Sequence, residues 1–187
     1  MKKRSLSMFY GIIAIIGASL LTISDIIEII QGGFSQVQLT LTYISFLIFT
    51  YILVALQKEQ EGRSIGYIGA LIFGISYVFW AATVVYPMVE DIANYEQLID
   101  RIGLMYYING ILLFTGTILF AYDVYRVNYY PRWTSIALIV GAVSSIVFPI
   151  IGISAYFQLI ASSIRSVAFI GIGFFLLMNK DEVNSIY

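Results

Sequence analysis

Residues 133–179 make up forty-seven consecutive positions that are almost wholly apolar and carry one charge, Arg165. As a single helix they would run to about 70 Å at ~1.5 Å per residue, more than twice the ~30 Å hydrocarbon core of a bilayer. The stretch must turn back on itself, which predicts a transmembrane hairpin with an arginine inside it. A guanidinium at the centre of a membrane helix costs about 2.5–3.5 kcal/mol on insertion scales. Arg165 is therefore expected to face the protein interior and to have a partner.

Other uncharged runs fall at 5–24, 29–57, 64–89 and 102–122, each long enough for about 20 residues of membrane helix. Together with the hairpin they predict spans at 6–30, 37–56, 65–86, 102–122, 134–151 and 156–178. The expected fold class is all-α, a six-transmembrane-helix bundle forming a single integral membrane domain over 1–187. Composition agrees, because 11% charged residues lies well below the ~25% of soluble domains. The basic start Met1-Lys2-Lys3-Arg4 resembles a signal peptide, but the apolar run that follows exceeds a ~7–15-residue signal core and has no small-residue cleavage site. An uncleaved first span is expected.

Six spans put both termini on one side, with the loops at 58–63 and 123–132. That side gathers Lys2, Lys3, Arg4, Lys58, Arg63, Arg126, Arg132 and Lys180, whereas the other carries Arg101. The positive-inside rule then predicts a multi-pass protein of the cytoplasmic membrane with both termini cytoplasmic. The outer loop at 87–101 is acidic, with Glu90, Asp91, Glu96 and Asp100. Ile92, Tyr95, Leu98 and Ile99 recur there at helical spacing, so the loop reads either as a short interfacial helix or as a solvated linker. Tyrosines crowd the predicted span ends, Tyr106 and Tyr107 among them, as rings do at headgroup level.

Ile16-Gly17-Ala18, Ile68-Gly69-Ala70 and Val140-Gly141-Ala142 recur in the outward-running spans. Three repeated helical hairpins would produce this, and so would the small residues that close helix contacts demand.

Charges inside the membrane are the candidates for function. Asp25 and Glu28 lie three apart on one helix face, and Gln158, Ser162, Arg165 and Ser166 form a polar stripe on the last helix. Counted from the outer ends, Asp25 lies roughly 8 Å deep and Arg165 roughly 14 Å, within reach of long side chains. An arginine fork can grip a carboxylate through two hydrogen bonds, so a pair of Arg165 with Asp25 or Glu28 is expected. The charges would act as a clamp between the first and last helices, as part of an outward-facing ligand or ion site, or as solvated ends that reach the interface by snorkelling. Asn109 in the fourth span and Ser144-Ser145 in the fifth are weaker polar candidates.

With no histidine and no cysteine, the chain lacks the usual ligands for zinc, haem and iron–sulfur clusters, and lacks thiol and imidazole catalysis. No lysine lies inside a predicted span to form a Schiff base, and neither a P-loop nor a G-x-S-x-G elbow occurs. Catalytic residues, cofactors and metals are accordingly not expected, and a net charge of −1 gives no reason to expect nucleic acid. The expected partners are the lipid bilayer, other membrane proteins or further copies of this chain. Three functions fit: a non-enzymatic accessory or interaction subunit of a membrane assembly, which the missing catalytic groups favour; a small transporter or ligand-binding protein built on Asp25, Glu28 and Arg165; and a membrane enzyme acting on lipid.

Overall fold

The computed structural model describes residues 2–150 and 156–178. Among them are seven helices: α1 (Lys2–Gln31), α2 (Gln36–Glu59), α3 (Ser64–Val89), α4 (Tyr95–Ile102), α5 (Leu104–Val127), α6 (Arg132–Ile150) and α7 (Tyr156–Met178). Five of them, α1, α2, α3, α5 and α7, contain stretches long and apolar enough to cross a membrane, and α6 is apolar but shorter over its described part, Arg132–Phe148. The chain is thus an all-helical bundle compatible with an integral membrane protein. The end of the predicted fifth span at 151, and the turn after it, lie outside the described residues.

The helices are placed by local chemistry at their ends. Ser35 starts α2 by accepting from the Gln38 backbone N–H at 3.3 Å, and Asn128 ends α5 in the left-handed conformation at φ 58°. Between α4 and α5 a single residue, Gly103, turns the chain at φ 52°, where a Cβ would be strained. Ile102 therefore belongs to α4, not to the start of the long fourth span. Three helices also run three or more residues past their predicted ends, α2 to Glu59, α3 to Val89 and α5 to Val127. Counting apolar residues stops at a charge; the helix continues because Asp123 finds hydrogen-bond partners inside the protein.

Each long helix packs on its neighbour in the order α1, α2, α3, α5, α6, α7, and α7 packs back on α1, closing a ring. The closing seam is tight: a Cβ on Gly11 would lie 2.8 Å from the Gly173 carbonyl oxygen, and one on Gly173 would lie 2.6 Å from that of Gly11. Only backbone without side chains allows helices this close. The three Gly-Ala steps also sit at helix contacts, Gly17 against Ile48, Gly69 against Leu119 and Phe120, and Gly141 against Ala161 and Arg165. Each glycine thus meets the second long helix of its own hairpin. They fall at unequal positions along their helices, Gly69 in the second turn of α3 and Gly17 near the middle of α1. A small residue is demanded wherever two helices cross, so packing alone accounts for the shared contact.

The centre of the ring is filled by fully buried phenylalanines, Phe49 from α2, Phe73 from α3, Phe120 from α5 and Phe169 from α7. Their rings pack 4.7 to 6.5 Å apart, and Tyr77 stacks on Phe49 and Phe73 at 5.1 and 5.0 Å. This aromatic plug divides the bundle into an end that carries α4 and an opposite end that carries the α2–α3 and α5–α6 loops.

α4 is a short amphipathic helix, the first of the two readings that the 87–101 stretch left open. Asn94 caps it by accepting from the Gln97 N–H at 3.1 Å, while Gln97 Oε1 accepts from the Ala93 N–H at 2.7 Å. This reciprocal arrangement fixes a helix of only eight residues at its start. Leu98 is buried beneath it. Two contacts hold the element down: the Phe34 N–H donates to the Ala93 carbonyl at 2.8 Å, and Phe34 meets the Tyr95 ring edge-on at 5.0 Å.

Candidate functional site

Beneath α4 and above the aromatic plug lies a cavity of about 310 Å³, to which all seven helices contribute lining residues. Its polar groups are Asp25 from α1, Thr42 from α2, Ser145 from α6, and Gln158, Ser162 and Arg165 from α7. Aromatic side chains make up much of the remaining wall, with Tyr77 and Trp80 from α3, Tyr95 from α4, and Tyr106 and Tyr107 from α5. A pocket with mostly apolar walls and a few placed polar groups is the usual form of a small-molecule site.

Arg165 is 7% exposed, and it does not grip a carboxylate. Its Nη1 donates to the Gly141 carbonyl at 3.1 Å and to Ser145 Oγ, both on α6, the Tyr77 hydroxyl of α3 lies within hydrogen-bonding reach of the guanidinium, and Nε is buried without a partner. Gly141 creates the room for this, because a Cβ there would lie 2.6 Å from Arg165 Cγ. The expected ion pair with Asp25 or Glu28 is thus replaced by a neighbouring helix that offers neutral acceptors. The guanidinium faces the interior, as its cost in lipid demands, but its hydrogen bonding is incomplete.

The two acids part company. Asp25 lines the cavity, 4% exposed, with Ser163 Oγ donating to its Oδ2 at a long 3.4 Å and Ser162 beside it. Glu28, 2% exposed, is held in the α1–α2 contact, where Gln38 Nε2 donates to its Oε2 at 3.0 Å. Gln38 also donates to Thr42 at 3.2 Å, and Ser24 joins Thr42 in the same buried network. Glu28 therefore fastens a helix pair, whereas Asp25 faces the open volume. One helical turn is enough to separate these roles.

Gln158 and Ser162 both reach the cavity, and Gln158 Oε1 accepts from the Tyr106 hydroxyl at 2.8 Å. Asn109 does not line it. With its amide oriented to satisfy its neighbours, Asn109 donates to the Ser76 carbonyl at 3.0 Å and accepts from Trp80 Nε1 at 2.9 Å, which fixes the indole against the cavity. Ser166 is buried beside the stripe with its hydroxyl unpaired.

Sequence reasoning missed or undervalued three contributions. Trp80 and the ring of Tyr77 gave no signal among so many aromatics, and Tyr106, read as a headgroup anchor, turns inward. Ser145 gave a faint signal as half of a serine pair. The third lies at the opposite end, where Asp123 is fully buried: its Oδ2 accepts from Gln57 Nε2 at 2.5 Å and from the Arg63 backbone N–H at 3.0 Å. Gln60 Nε2 extends the chain to Gln57 Oε1 at 2.7 Å. This cluster ties the α2–α3 turn to α5.

α4 covers the cavity and is itself tethered. Arg101 Nε and Nη2 donate to the two Glu90 oxygens at 2.8 and 2.9 Å, and the guanidinium lies 5.2 Å from the centre of the Tyr86 ring. That fork holds the Glu90 carboxyl below its usual range. Burial under the cover, with Glu28 and Asp25 nearby, holds the Tyr95 hydroxyl well above the usual phenol value. Tyr95 consequently stays protonated and can donate a hydrogen bond. Compared with protein-family models, curated proteins and solved structures, the chain matches none.

Proposed function

We propose that the chain is a six-span protein of the cytoplasmic membrane that binds a small molecule in the cavity beneath α4, on the outer face. Supporting the sixth span is α6, which packs between α5 and α7 in the ring and, at nineteen residues, comes close to the ~20 that a bilayer core requires. The asymmetry of Lys and Arg supports the orientation, with both termini cytoplasmic.

The observation that carries the reading is the cavity itself, with Arg165 and Asp25 opening onto it unpaired with each other. A volume of about 310 Å³ suits a small molecule and is too small for a protein segment of any length. An accessory-subunit role draws only on missing catalytic groups, whereas ligand binding draws on a shaped and chemically furnished site. A lipid-modifying enzyme using two carboxylates fits less well, since Glu28 is engaged at the α1–α2 contact and the acids do not converge on the cavity. Passage through the bundle would require Phe49, Phe73, Phe120 and Phe169 to part. Binding is the step that the geometry supports.

Native mass spectrometry of gently solubilised protein tests this directly. A small-molecule adduct that is lost in Arg165→Gln is the expected result. A stoichiometric protein partner with an empty cavity would support the accessory role and sink the proposal.

A further inference from the structure

The cavity places two opposite charges in one low-dielectric volume without letting them meet. If Arg165 and Asp25 served only to neutralise each other, the fork of the arginine would be expected on the carboxylate, since contact is what repays the desolvation of both. Instead Arg165 is drawn toward α6 by Gly141 and Ser145, Asp25 is turned toward Ser162 and Ser163 on α7, and open volume remains to which both contribute. Nε of the guanidinium has no partner at all. Among the described residues neither charge touches one of opposite sign, although Arg165 still acts on Asp25 through space, and the walls around them are largely aromatic.

Resting on the proposed binding function, we infer that the ligand is a zwitterion with an apolar body, whose anionic group meets Arg165, whose ammonium meets Asp25, and whose body lies against Tyr77, Trp80 and Tyr106. A ligand of this kind completes the hydrogen bonding of the guanidinium and neutralises both side chains. Its net charge of zero leaves the charge balance of the cavity unchanged. Aromatic faces suit both an apolar body and an ammonium approaching over the ring. A purely anionic ligand would leave Asp25 facing a like charge, and a purely cationic one would do the same to Arg165. Free amino acids with apolar side chains and the headgroup of phosphatidylethanolamine share this chemistry.

Trp80 provides the readout, because the chain has two tryptophans and the other, Trp133, lies on α6 against Gly171. In a Trp133→Phe background, emission of Trp80 is followed while L-phenylalanine, 2-phenylethylamine and 3-phenylpropanoate are titrated in turn, with native mass spectrometry as an independent count of bound molecules. L-Phenylalanine is expected to bind at least ~10-fold more tightly than either single-charge analogue, the least that losing a charge-assisted hydrogen bond should cost. Arg165→Lys is expected to weaken L-phenylalanine and 3-phenylpropanoate but not 2-phenylethylamine, and Asp25→Asn to weaken L-phenylalanine and 2-phenylethylamine but not 3-phenylpropanoate. The lipid arm uses nanodiscs of phosphatidylethanolamine or phosphatidylglycerol: retention of the first alone, lost in Asp25→Asn, assigns the same chemistry to a lipid headgroup.

Equal binding of a single-charge analogue on the unsubstituted cavity would overturn the zwitterion and leave the binding function standing. If neither the three solutes nor either lipid binds, and native mass spectrometry finds the cavity empty, both fail together.

Discussion

Arg165 and Asp25 border one cavity from α7 and α1 and are not joined as an ion pair; the guanidinium is held instead by Gly141 and Ser145 of α6. The first and last helices are closed on each other by the backbone contact of Gly11 and Gly173, and not by a charge clamp. The two charges are thereby left available to something else.

That separation can be measured without knowing any ligand. In a double-mutant cycle of Arg165→Gln and Asp25→Asn, followed by unfolding in detergent, the coupling energy is expected to stay at or below about 2 kcal/mol, the through-space attraction across the cavity, since breaking a buried pair that does touch costs about 3–5 kcal/mol. A coupling in the latter range would show that the two are paired.

Two glycines should respond in opposite ways to the same substitution. Gly141→Ala drives a methyl into Arg165 Cγ and lies 2.9 Å from the Ala161 carbonyl oxygen, so a loss of about 1–3 kcal/mol of stability is expected together with a displaced guanidinium. Gly110 has nothing within 4 Å of its would-be Cβ. Gly110→Ala should be neutral or stabilising by up to ~1 kcal/mol through helix propensity alone. Thermal unfolding of the two variants side by side checks both.

The long helices were legible because a charge in lipid is costly, and runs without charge therefore mark helices whatever their neighbours do. Asp25 and Arg165 were legible for the same reason. What the sequence could not reveal is the rotation of each helix about its axis. Glu28 lies three residues from Asp25 yet faces α2, and Ser145, one of several small polar residues, becomes the partner of Arg165 because Gly141 lets the side chain lie along α6. Asp123 was assigned to a loop by its charge, and it sits inside α5 with Gln57 and the Arg63 N–H donating to its Oδ2. Hydrogen bonds made at long range leave no local trace.

Asp123→Ala separates stability from binding. It leaves Gln57 and the Arg63 N–H without their acceptor, at a cost of about 1–3 kcal/mol. Because the phenylalanine plug lies between, occupancy of the cavity is expected to be unchanged in the fraction that remains folded, as native mass spectrometry would report. A loss of ligand in well-folded protein would show that the two ends communicate.

The cover over the cavity should loosen in acid. Arg101 depresses the Glu90 carboxyl, so the tether contributes fully above the unfolded value of ~4.3 and is lost as pH falls through the lower folded value. Hydrogen exchange of the amides at 95–102 is expected to be slow at neutral pH and to quicken in strong acid. In Glu90→Gln it should be faster already at neutral pH. Equal protection in both proteins would assign α4 its stability from Leu98 and Phe34 instead.

The most direct test uses the absence of cysteine from the chain. Gly110 lines the cavity and faces open space, so Gly110→Cys places a thiol there, while Lys58→Cys and Asp91→Cys mark the two faces of the membrane. In sealed cells, a membrane-impermeant maleimide applied outside is expected to label position 91 at once and position 110 more slowly beneath the α4 cover, and to spare position 58. Labelling of position 58 from outside, or a position 110 that reacts only when the reagent is given access to the cytoplasmic side, would contradict a cavity on the outer face beneath α4.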